Sequence, residues 1–164
     1  MDDLLSGHII TVATLILGFA MACFRNPTMR LCGFWFVAEV VCSLVTVGVG
    51  EYANAQQMLT YRYLYAITSI IFCIHVSKTG SKYSDKIGYI FKAIAIFSVT
   101  NGEYHWFMQS QWVQWGEAFA LEYGSLVNNG YFFIIAGLDA LLVILGVSSA
   151  LAAHFINRSN ERLR

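Results

Sequence analysis

Hydrophobic residues in this chain gather into five long runs, at 5–24, 31–49, 58–77, 87–107 and 126–155. Crossing the hydrocarbon core of a bilayer takes about 20 mostly apolar helical residues, so each run predicts a membrane-spanning α-helix. The fourth run is broken by Lys92 and by Asn101-Gly102-Glu103. The fifth is long enough to tilt or to continue past the bilayer. Asn128 and Asn129 open it as a helix start.

Between the fourth and fifth runs the pattern changes. Tyr104, Met108, Trp112, Trp115, Phe119 and Tyr123 recur at spacings of four and three, while Gln114 and Glu117 fall on the opposite side. That periodicity is one apolar face of a helix. Aromatic rings with a polar edge favour the headgroup layer. The stretch 103–123 therefore predicts an amphipathic helix lying on the outer surface. Its role is an anchor between spans, or else a plug, a lid or a docking surface. Trp106, Trp112, Trp115, Phe119 and Tyr123 are then the interfacial or partner-contact residues. The expected architecture is an all-α integral membrane protein, with five transmembrane helices and one interfacial helix in a single domain, 1–164.

Composition fits this class. The chain is 57% hydrophobic and 12% charged, with a mean hydropathy of +0.58. A soluble domain carries about twice that share of charge. A net charge of zero gives no field that would draw nucleic acid. Met1-Asp2-Asp3 lacks the basic start of a secretory signal, so the first run is expected to stay as a membrane helix. The four cysteines show no CxxC spacing and read as small packing residues.

Charge sorts by side. Arg25, Arg30, Lys78, Lys82, Lys86, Lys92, Arg158, Arg162 and Arg164 fall on or near one face of the five-span topology. Asp2, Asp3, Glu51, Glu103, Glu117 and Glu122 fall on the other, with Arg62 as the only base there. Basic loops stay in the cytoplasm, which predicts the N-terminus outside and the C-terminus inside. A bacterial inner membrane is the expected location.

Ionisable side chains inside hydrocarbon are costly, so Asp139, Glu39, Lys92 and Arg62 are candidate functional residues. Depths counted from the span ends allow two ion pairs, Glu39 with Lys92 and Asp139 with Arg62. Either the pairs hold helices together, or a carboxylate faces a wet cavity and handles protons or cations. Small residues four apart mark close helix contacts: Gly18 and Ala22, Ala136 and Ala140, Gly146 and Ala150.

Four histidines lie near span ends, His8 and His105 outward and His75 and His154 inward. Such pairs are a possible pair of haem ligand sets, which would make the chain a small di-haem electron carrier. No CxxCH motif accompanies them, and no P-loop, HExxH, GxSxG or glycine-rich nucleotide turn is present. Neither an enzyme nor a cofactor is expected. Three functions remain open: a small oligomeric protein that alters membrane permeability, a non-enzymatic subunit or scaffold of a membrane complex, and the haem carrier. In form, though not in motif, the chain resembles small phage or bacterial membrane effectors, the holin class included. The bilayer and a homo-oligomeric or membrane-protein partner are its expected contacts.

Overall fold

The structure is a computed structural model that describes residues 2–47, 55–109 and 116–162. Side chains are described for 9–45, 59–104, 106–107, 126–127 and 129–161. The described residues form five α-helices and no strand: α1 (Asp2–Ala22), α2 (Pro27–Val47), α3 (Ala55–Ser77), α4 (Ser84–Gln109) and α5 (Gly116–Arg162). Three segments are long and apolar enough to cross a membrane: Pro27–Val45, Leu59–Ser77 and Asn129–Glu161. α1 supplies a shorter apolar stretch, Ile9–Ala22.

Local chemistry sets the helix ends. Asn26 caps α2, its Oδ1 accepting the Met29 amide at 2.9 Å. Pro27 follows at the first helical position, where its missing N–H costs nothing. Gly80 takes φ +63° in the α3–α4 turn, a conformation glycine adopts without a side-chain penalty. Asp85 in the first turn of α4 complements the positive end of the helix dipole.

The expected surface helix over 103–123 does not form as one element. Residues 103–109 continue α4, and residues 116–123 begin the 47-residue α5. Gly102 does not stop α4 because it is packed rather than exposed. A Cβ there would stand 2.9 Å from the Arg62 Cβ, so the glycine lets α3 come close. Trp112 and Trp115 lie outside the described residues, as do the side chains of Phe119 and Tyr123. Trp106 is exposed on the last turns of α4.

Two antiparallel hairpins organise the bundle. In α3–α4, Cys73 Sγ donates to the Gly88 carbonyl at 3.5 Å, and nearer the other end Tyr63 donates to Glu103. In α1–α2 the backbones meet at glycine. A Cβ on Gly33 would collide with the Ala22 amide nitrogen and lie 2.6 Å from the Gly18 carbonyl oxygen. Gly18 and Ala22 thus face one small residue on the next helix. Gly146 receives the Met21 methyl, which a Cβ there would meet at 3.1 Å, and so brings α5 against α1 and α2. Ala136 and Ala140 are exposed.

Trp35 sits at the centre, with no exposed surface. Its ring packs on Tyr65 at 5.0 Å, Phe91 at 5.2 Å and Phe72 at 5.5 Å between centroids. Ile87, Ile94, Val76 and Leu142 close the core around it. The same helices expose large apolar side chains such as Ile16, Val45, Ile70, Ile96, Phe133 and Ile144. A bundle with a packed interior and an apolar exterior suits a lipid solvent.

Candidate functional site

A polar cluster runs through the bundle interior. α2 carries Trp35 and Glu39, one turn apart on one face. α5 brings Asp139, whose Oδ1 accepts the Trp35 indole N–H at 3.1 Å. Glu39 and Asp139 are close enough for their charges to interact, and Tyr65 of α3 lies beside both. The Tyr65 hydroxyl is buried and makes no well-formed hydrogen bond among the described residues. Two half-buried carboxylates from different helices therefore lie within range of each other's charge, beside Trp35 and Tyr65.

Further along the bundle stands Arg62, 1% exposed. Its guanidinium carbon lies 3.9 Å from the Tyr131 ring centroid and 5.1 Å from that of Tyr61. The face of an aromatic ring attracts a cation, more strongly where water is excluded. Among the described residues Nε and Nη2 find no hydrogen-bond partner. Nearby, Ser98 and the Tyr131 hydroxyl bond across α4 and α5 at 3.1 Å. Asn101 is buried, and neither of its amide atoms is bonded among the described residues. The cluster has two levels, an acidic one around Glu39 and Asp139 and a cationic one around Arg62.

These positions correct both expected ion pairs. Tyr131, not Asp139, receives Arg62. α5 runs on to Arg162, past the span end at 155 from which depth was counted, so the registers of α3 and α5 do not coincide there. Asp139 then lies eight residues beyond Tyr131, about 12 Å along the helix. Lys92 is exposed, its Nζ 5.3 Å from the Tyr89 ring centroid. The buried face of α4 is Ile87, Ile90, Phe91, Ile94 and Ser98, so position 92 points away from Glu39.

Sequence reading flagged the carboxylates but not Trp35, Tyr65 or Tyr131. Each sits in an apolar run beside aromatic residues that face outward. The Trp35 indole was the polar partner missing from the surroundings of Asp139 on its own helix.

The histidines offer less. The His75 ring nitrogen Nδ1 bonds to the Ile71 carbonyl of its own helix at 2.9 Å. His154 stacks edge-on near Phe155 at 6.1 Å. The side chains of His8 and His105 lie outside the described residues. Among the described residues no three His, Cys, Asp or Glu side chains gather as a metal site.

At the other end of the molecule the basic loops converge. The Asn26 amide donates to the Ser149 carbonyl at 3.3 Å, and the Ser81 and Ser149 hydroxyls bond at 3.2 Å. Thr28 donates to Thr79 at 3.4 Å. These bonds hold the α1–α2 turn, the α3–α4 turn and the part of α5 around Ser149 in one place. In comparison with known proteins, the chain matches no protein-family model, no curated protein and no solved structure.

Proposed function

We propose that this protein is a small oligomeric membrane protein that alters membrane permeability by passing protons or small cations, with Glu39 and Asp139 as its ion-binding step. The observation that carries this reading is that two half-buried carboxylates lie within range of each other's charge, while the buried base stacks on tyrosine instead. Like charges in a medium of low dielectric repel, and a bound proton or cation relieves them. A purely structural pair would join an acid to a base. The exposed Ala136, Gly137 and Ala140 of α5 support close packing of a second copy. The site residues come from one chain, so an oligomer would extend the path rather than create it.

Inducible expression in bacteria with a potential-sensitive dye tests this. Wild type is expected to depolarise the membrane. Asp139→Asn and Glu39→Gln are each expected to reduce the effect several-fold, and the double variant to do no worse than the stronger single one. An intact potential at high wild-type expression overturns the permeability reading. Depolarisation unchanged in both single variants removes the carboxylates from it.

The proposed topology has five spans in a bacterial inner membrane, with the N-terminus outside and the C-terminus inside. The convergence of the two basic turns with the inner part of α5 supports it. Reporter fusions at Gly80 and Arg164 are expected to read cytoplasmic together. One cytoplasmic and one external result would exclude this topology.

A further inference from the structure

A cavity of about 320 Å³ opens at the basic end of the bundle. It lies where the α1–α2 turn, the α3–α4 turn and α5 are tied together. Asn26, Thr28, Thr79, Ser81, Lys82 and Ser149 line its polar side. Ala152, Ala153 and Ile156 line the other, along α5. One end is therefore polar and charged, and the side continuous with the lateral surface is apolar. Ile156 is itself exposed.

The wall is built rather than incidental. Thr79 bonds to the Val76 carbonyl at 2.8 Å and to Ser84 at 2.9 Å. Ser81 accepts the Tyr83 amide at 3.2 Å and bonds to Ser149, which donates to Asn26 at 3.4 Å. Most hydroxyl protons are spent on this network, which fixes the shape of the wall. Lys82 is the one charged side chain among the described residues of the lining, and its ammonium stands 5.0 Å from the Tyr83 ring centroid. An ammonium brings three donors and no acceptor.

The surroundings are of one sign. Segments 23–30 and 78–86 carry Arg25, Arg30, Lys78, Lys82 and Lys86 against Asp85 alone. All six side chains are exposed. A ligand here meets a positive field, one ammonium in contact, and an apolar trough leading into the bilayer.

We propose that this cavity binds the phosphate headgroup of an anionic phospholipid, with Lys82 on the phosphate and the upper acyl chain along Ala152, Ala153 and Ile156. Its volume is at the small end of the range for ligand pockets, about 300–1,000 Å³. That suits a headgroup and the top of a chain, with the remaining lipid in the bilayer. Basic pockets between membrane helices at the cytoplasmic surface take such headgroups. The site lies apart from Glu39 and Asp139 and does not depend on the permeability reading.

The test is lipid retention. Full-length protein is purified from membranes of mixed phosphatidylcholine and phosphatidylglycerol, and retained lipid is read by native mass spectrometry. Wild type is expected to keep phosphatidylglycerol preferentially. Lys82→Gln is expected to lower that preference about fivefold. Ala153→Trp, which fills the trough, is expected to lower it as far, and Lys86→Gln, outside the cavity, to leave most of it. Ala152→Leu is the milder filling variant if the tryptophan impairs folding, judged by circular dichroism. Equal retention of the two lipids by wild type overturns the proposal. So does loss of preference in Lys82→Gln with none in either filling variant, which would mean surface charge alone. Displacement of the lipid by millimolar inorganic phosphate would reassign the cavity to free phosphate and overturn the lipid assignment.

Discussion

Trp35→Ala is expected to cost about 3–5 kcal/mol of stability, the range for removing a fully buried large aromatic side chain. The indole touches three rings from two helices and holds Asp139 of a third. No neighbour can fill its place without leaving its own contacts. In lipid the hydrophobic effect does not drive helices together, so packing and hydrogen bonds carry the association. A central residue that supplies both has an outsized effect. Trp35→Phe separates the two contributions. It keeps most of the ring contact but removes the N–H donor to Asp139, at about 1–2 kcal/mol. Equilibrium unfolding in mild detergent measures both. A loss under about 1 kcal/mol for the alanine variant, the size of an average substitution, would mean that the interior is organised elsewhere.

Gly33→Ala is the second large effect, from a single added methyl. Its Cβ would collide with the Ala22 amide nitrogen and stand 2.8 Å from the Met21 carbonyl carbon. Those atoms belong to the backbone of α1 and cannot rotate aside, so α1 must shift as a whole. Overpacking typically costs about 1–3 kcal/mol, and a clash against backbone is expected at or above the top of that range. Gly88→Ala is the contrast, because its Cβ would meet only the Cys73 sulfur at 3.7 Å and the Val76 methyl at 3.8 Å. Parallel melting curves should show a large drop for Gly33→Ala and a small change for Gly88→Ala. Equal melting temperatures would contradict the α1–α2 contact.

The helices were legible because the hydrophobic runs are long. The run beginning at Leu31 still missed the start of α2, which Asn26 and Pro27 set four residues earlier. The start of the surface helix misled because Asn101-Gly102-Glu103 reads as a break, whereas α4 runs through it to Gln109. In the structure Asn101 is buried and Gly102 packs against Arg62 and Leu59 of α3, where a small residue is needed. Which side of a helix is buried was harder to read. In water an inward face is apolar and an outward face polar, so periodicity shows it. Here both faces are apolar, and Trp35 inside looks like Phe34 outside. Only the charged residues stood out, which is why Glu39, Asp139 and Arg62 were found and their aromatic partners were not. Gly33 escaped for a related reason. Its small partners are on another helix, at Gly18 and Ala22, not four residues away on its own.

The two levels of the polar cluster have an electrical consequence. Arg62 lies at the level of Tyr131, and Asp139 lies about 12 Å further along α5. That separation is roughly two fifths of a hydrocarbon core about 30 Å thick. A unit charge moved between the two levels would exchange about 0.9 kcal/mol with each 100 mV of transmembrane voltage, two fifths of the value for a full crossing. That is about a fivefold change in the balance of any two states that differ by such a movement. Under the proposed permeability function, the occupancy of the acidic level would then follow the membrane potential as well as the ion concentration.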